Sequence, residues 1–218
     1  MEFFTQLETV RDRWNVLQHP FYQRWSAGEL TREELAVYAG QYRHAVVALA
    51  DASTATAEVA GEDLRAGLRA HAAEETAHIA LWDEFTAAVG GDVSAAPTAE
   101  TAACGAAWAG DGERPLLRSL AAMYAIESGQ PAISETKTEG LVEHYGFAPG
   151  SAATRYFELH AVRDIEHAAH ERELLEARLQ PGDADALLEE AESVLRANWE
   201  LLDGVERLNG REPALAAS

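Results

Sequence analysis

The chain has 218 residues, 47% hydrophobic and 25% charged, the length and mixture of a soluble globular protein able to bury a core. Acidic residues outnumber basic ones 37 to 17, a net charge of −20 with no basic run, which argues against nucleic acid and against an anionic membrane surface as partners. The lone cysteine, Cys104, excludes an intramolecular disulfide and a Cys-based zinc site. The opening Met1-Glu2-Phe3-Phe4 lacks the basic and apolar regions of a signal peptide. No run of about 18 apolar residues occurs, so no membrane span is predicted and the expected compartment is the reducing cytoplasm.

Pro and Gly punctuate long stretches of Ala, Leu, Glu and Arg, all strong helix formers, and strand patterns are nearly absent. A first helix is expected from Phe3 to about Leu17, ending before His19-Pro20, with a short aromatic segment, Phe21 to Trp25, after it. Thr31 and Glu34 form a capping box that opens a helix running to about Ala60. Gly61 separates it from a third helix, Glu62 to Val89, closed by Gly90-Gly91. A fourth is expected over Ala99 to Trp108. The fifth has Pro115 in its first turn and a kink at Pro131. A sixth runs from about Ala152 to Leu179, and a last from about Ala184 to Leu208 after the Pro181-Gly182-Asp183 turn. The sum is one all-α domain of about seven helices over residues 1–210, with a frayed tail from Arg211 to Ser218.

The sixth helix reads His160-x3-Asp164-x2-His167. At about 100° per residue, steps of four and seven return near the starting direction, so these three ligand-type groups share one face. His170 falls at the edge of that face, suited to supporting a ligand rather than being one. The third helix carries Glu75-x2-His78, the Glu-x-x-His spacing with which helical bundles hold paired iron or manganese, and Glu74 is an alternative to Glu75. Glu127 on the fifth helix is a carboxylate in an apolar stretch, which is costly unless paired or metal-bound. Hard carboxylates with imidazoles suit iron or manganese. His71, two turns before His78, is expected to be structural, His19 and His44 to be core or hydrogen-bonding residues, and the tryptophans to be core.

Lys137 is the only lysine in the chain. A lysine that arginine cannot replace points to an amine that loses its proton when buried and acts as nucleophile or amine donor. Ten residues beyond Glu127, it is placed to face the same cavity.

These residues resemble the haem-oxygenase-like di-metal oxidases and, more closely, the family of the Chlamydia protein associating with death domains, the self-sacrificing para-aminobenzoate synthases. The resemblance runs through His19-Pro-Phe-Tyr22-Gln-Arg-Trp25, Tyr38-Ala-Gly-Gln-Tyr42, Glu74-Glu75 with His78, Glu127-Ser-Gly-Gln-Pro131, Lys137, and Tyr156 to His167. It implies a seven-helix haem-oxygenase-like bundle, usually dimeric. The implied ligands are a Glu of the 74–75 pair, His78, Glu127, His160, Asp164 and His167. It further implies Tyr22 as the source of the product ring, Lys137 as the source of its amine, and Tyr156 as a tyrosine beside the metals. Two departures stand out. The Glu-to-His spacing on the third helix is shorter than in the chlamydial protein and resembles that of fatty-acid-decarboxylating relatives. Ile126 stands where the chlamydial protein has a tyrosine, which shifts any radical-transfer role to Tyr124 or Tyr156.

The leading expectation is therefore an iron-dependent oxidase with two iron ions, or manganese or a mixed pair, that uses dioxygen and an external reductant. It would form para-aminobenzoate once per chain from Tyr22 and Lys137. The alternatives are repeated oxidation of a separate small molecule (an amino acid, amine or fatty acid) and a non-enzymatic bundle binding a basic protein. The thiaminase branch of the same fold is disfavoured, because Cys104 lies outside the helices that carry the site.

Overall fold

The computed structural model describes residues 2–212; of the expected tail, residues 213–218 lie outside them. Nine α-helices and no strand occur among the described residues. They are α1 (Glu2–Arg13), α2 (Pro20–Ser26), α3 (Arg32–Val59), α4 (Glu62–Val89), α5 (Ala99–Ala109), α6 (Leu116–Glu127), α7 (Gln130–Glu143), α8 (Arg155–Glu176) and α9 (Ala184–Leu208). No helix is long and apolar enough to cross a membrane.

The all-α expectation holds, and the count differs for two physical reasons. The first helix stops at Arg13; a 3₁₀ turn, Val16–Gln18, and the short helix α2 follow it. His19 caps α2 with its own ring, Nδ1 accepting from the Phe21 N–H at 3.1 Å, and Pro20 fits the first turn where no N–H is needed. The expected fifth helix is broken rather than kinked. Pro131 has no N–H to offer the Glu127 carbonyl, so α6 ends at Glu127 and α7 restarts with Pro131 in its first turn. Pro115 stands at the N-cap position just before α6, without a side-chain capping bond, rather than inside its first turn.

The capping box forms as read: Glu34 N donates to Thr31 Oγ1 at 3.1 Å, and Thr31 N donates to Glu34 Oε2 at 2.8 Å. Gly90, with φ of +82°, closes α4 in the left-handed conformation that favours glycine. Helix α3 packs along α4, α8 along α4, α6 and α7, and α9 along α5 and α6. Helix α2 approaches α7 so closely that a Cβ at Gly140 would lie 2.6 Å from the Trp25 indole. The faces of α4, α6 and α8 thus meet in the interior, and α2, α3 and α7 enclose the space beside them.

Candidate metal centre

Helix α8 brings His160, Asp164 and His167 to that meeting, α4 brings His71, Glu75 and His78, and α6 ends there with Glu127. All seven are buried, Glu127 and Asp164 to 1% exposure. His78 Nδ1 lies 3.1 Å from Glu75 Oε1, and His71 Nε2 lies 3.2 Å from Glu127 Oε1. His167 Nδ1 is 3.6 Å from Glu127 Oε2, 3.7 Å from Glu75 Oε1 and 3.8 Å from Asp164 Oδ1. Three sets of donor atoms converge within 4.8 Å: His71, Glu127 and His167; Glu75, His78 and His160; Glu75, Asp164 and His167. Glu75 belongs to two of them.

The donors face inward without satisfaction. His71 Nε2, Glu75 Oε1, His78 Nδ1, both Glu127 oxygens, His160 Nε2, Asp164 Oδ2 and His167 Nδ1 are buried with no hydrogen-bond partner. Unpartnered buried carboxylates are expensive, and no lysine or arginine lies at ion-pair distance from Glu75, Glu127 or Asp164 among the described residues. Burial, then the neighbouring Glu75, holds the Glu127 carboxyl well above the usual range; burial, Glu127 and Glu75 do the same to Asp164. Glu75 moves the other way, because the close His78 ring and the other facing imidazoles outweigh burial. Burial pushes His160 down to about 4, which keeps its ring neutral and its lone pair available. This donor set fits metal ions: imidazole and carboxylate with no thiolate, the preference of iron and manganese.

Orientation comes from outside the cluster. His160 Nδ1 donates to the Tyr156 carbonyl at 2.7 Å, so Nε2 points inward. Glu74 turns away from the centre. It accepts from Arg163 Nε at 2.8 Å and Nη2 at 2.7 Å, and meets His167 Nε2 at 3.2 Å, leaving His167 Nδ1 to face the cluster. The Arg163 bonds hold its carboxyl down at about 2.

Two members of the cluster fell outside the sequence expectation. His71, read as structural, enters through its spacing of four from Glu75 and seven from His78. Glu171, one turn after His167, is wholly buried with both oxygens unpartnered, and burial followed by Glu127 and Asp164 raises its carboxyl. His170, read as a supporting residue, is exposed and lies over Gly67 on the outside of α4.

Beside the cluster is an aromatic box. The Tyr22 and Tyr38 hydroxyls share a hydrogen bond of 2.8 Å. Lys137 Nζ lies 5.4 Å from the Tyr22 ring centroid, 5.5 Å from Tyr38, 4.7 Å from Tyr42, 5.7 Å from Trp82 and 5.0 Å from Phe157. Burial lowers this amine to about 7 despite the ring faces around it. The box adjoins the cluster through Tyr156, whose ring stacks on His160 at 4.0 Å and packs edge-on against Trp82 at 4.8 Å. Tyr124 packs edge-on against Phe4 at 5.6 Å, whereas Tyr156 stacks directly on a member of the cluster. Cys104 is buried on α5 with its thiol pushed up by burial.

Residues 36–199 match the family model described as an iron-containing redox enzyme. The chain is 34% identical to the 4-aminobenzoate synthase of Chlamydia muridarum, covering 93% of this chain and 89% of that protein. It is also 34% identical to the 4-aminobenzoate synthase of Chlamydia trachomatis serovar D, covering 93% and 91%. Among solved structures, a domain of unknown function from Shewanella denitrificans superposes with a TM-score of 0.77 at 18% identity over 96% of this chain and 90% of that one. That likeness shows the fold, which is haem-oxygenase-like.

Proposed function

Because the chain belongs to the family of iron-containing redox enzymes, we propose that it is a dioxygen-activating oxidase that holds two iron ions among α4, α6 and α8. In this reading it forms 4-aminobenzoate from its own Tyr22 with the amine of Lys137. The observation that carries the reading is the sole lysine of the chain, buried with its Nζ 5.4 Å from the Tyr22 ring in a box that borders the metal cluster. Four buried carboxylates, Glu75, Glu127, Asp164 and Glu171, lack any lysine or arginine partner, and two divalent ions balance their four charges.

The carboxylates and imidazoles of α4, α6 and α8 would hold ferrous iron, which would supply electrons to dioxygen, with an external reductant to restore them. The chain's own residues prepare the rest. Glu74 and the Tyr156 carbonyl fix the ligand rings of His167 and His160. Tyr38 gives the Tyr22 phenol a hydrogen-bond partner in a site closed to water, and burial keeps both phenols protonated. Lys137, lowered to about 7, presents a neutral amine with a free lone pair on a large fraction of molecules at neutral pH.

The test is intact mass and peptide mapping after anaerobic loading with ferrous iron and exposure to oxygen and reductant. The peptide containing Tyr22 should lose side-chain mass together with a change at Lys137, and Tyr22→Phe and Lys137→Arg should each abolish product while binding the same iron. Full product from either variant overturns the assignment. Oxygen consumed with both side chains intact transfers the chemistry to a separate small molecule.

A further inference from the structure

In so acidic a chain, an arginine without an acid is informative. Thirteen of the sixteen arginines hold a carboxylate at ion-pair distance. Arg65 instead donates to a backbone carbonyl, and Arg32 stands exposed at the start of α3. Arg11 is the third. Its Nη1 donates to the Ser128 hydroxyl at 3.1 Å, and both residues line a cavity of about 230 Å³.

That cavity lies between the connector after α1, the α6–α7 break and α9. Trp14, Trp108, Ile126 and Ile133 form apolar and aromatic parts of its wall. It has room for roughly eight waters, or a ligand of about ten heavy atoms. Asn198 also lines it, 6% exposed, with its side-chain oxygen unpartnered. The rest of that amide meets the Tyr42 hydroxyl, which also meets Gln130 and whose ring lies 4.7 Å from Lys137 Nζ. The cavity therefore backs onto the aromatic box.

We propose that this cavity binds a small aromatic carboxylate carrying a hydrogen-bond donor at its far end, with Arg11 taking the carboxylate, Asn198 accepting from the donor, and the indoles and isoleucines enclosing the ring. The inference rests on the proposed function for its choice of ligand, because the aromatic amino acid made in the adjoining box has this chemistry. Asp12, exposed, also lines the cavity, but among the described residues no carboxylate lies at ion-pair distance from Arg11, so its guanidinium is left to take an anion, and a buried carbonyl oxygen without a partner selects a donor.

Calorimetry on the iron-loaded protein under anaerobic conditions tests it with 4-aminobenzoate as probe and benzoate as the analogue lacking the amine. Saturable binding of 4-aminobenzoate is expected, several-fold tighter than benzoate. Arg11→Met should weaken both by about tenfold or more, as loss of a charge-assisted hydrogen bond does. Asn198→Leu should erase the difference between them, and Arg32→Met should change neither. Absent binding, or equal binding to wild type and Arg11→Met, overturns the proposal. The mass measurement at Tyr22 is independent of these arms. A consumed Tyr22 with no binding sinks the cavity assignment alone. Arg11-dependent binding with Tyr22 intact upholds the cavity and sinks the self-consuming reaction.

Discussion

Glu34 and Glu206 are buried like Glu75 and Glu127, Glu34 a little less so, yet they sit against Arg24, which donates to Glu34 at 2.8 Å and to both Glu206 oxygens at 2.8 and 2.9 Å. Arg211 adds a bond to Glu34 at 3.1 Å. Around Glu75, Glu127, Asp164 and Glu171 the facing groups are imidazoles and other carboxylates. The chain supplies its own cation to one carboxylate cluster and none to the other. Unmet burial of this kind is tolerated where an ion from solution completes the site. The contrast separates acid that the chain neutralises itself from acid that it leaves open, without reference to sequence motifs.

The largest effect is expected where the second cluster loses its shared member. Glu75 belongs to two of the three donor sets, so Glu75→Ala should remove most of the manganous or ferrous ion that the unaltered protein binds, read by metal analysis after anaerobic dialysis. The full complement of metal retained would break the contrast. Next comes the cluster with its own cation. Arg24→Met leaves buried Glu206 with only the longer approach of Arg211 at 3.7 Å, and urea denaturation should show a loss of about 3 kcal/mol. At the metal centre the same logic has the opposite sign: Glu127→Gln should stabilise the metal-free protein, because an unpaired buried carboxylate is removed. A loss on Glu127→Gln as large as that on Arg24→Met would show that both clusters are structural.

Much of this was visible in the residues. The Thr31–Glu34 box and the Gly90 stop mark helix ends through local bonds that need no tertiary information, and the Asp164 and His167 spacings follow from helical geometry alone. Helix α2 was not legible, since seven residues cannot hold a helix in water and this one depends on Trp25 packing at Gly140. Glu171 hid for a related reason. Helix α8 carries a charged residue or histidine at most of its solvent positions, and the spacing of Glu171 from His167 looks the same as that of a solvated glutamate. Only packing against α6 separates it from exposed Glu166 and Glu173.

A smaller effect sharpens the contrast from outside the cluster. Glu74 touches His167 from the Arg163 side rather than joining the donors. Glu74→Ala should therefore weaken metal binding by about 10- to 100-fold while leaving the number of bound ions unchanged, the usual result of losing a group that orients a ligand. Titration with manganous ion distinguishes this from loss of a ligand, which would lower the number bound.

The smallest net effect is expected from pH, because the raised carboxyls of the unpartnered cluster favour low pH while burial lowers His71, His160 and His167, whose neutral rings favour high pH. For Glu34, burial is outweighed by the Thr31 N–H, Arg24 and Arg211, so its carboxyl is lowered; its stabilisation is present above the ordinary value of 4.5 and is lost as pH falls. Glu127, Asp164 and Glu171 are raised by burial and by one another, so in metal-free protein their contribution is greatest below the ordinary carboxylate range and is lost as pH rises through their raised values. Metal-free protein should thus be more stable to urea at pH 5.5 than at pH 8. Bound manganous ion should reverse the order, because protons compete with it for the same oxygens. The same ranking with and without metal would mean that these carboxyls find their compensation within the chain, as Glu34 does.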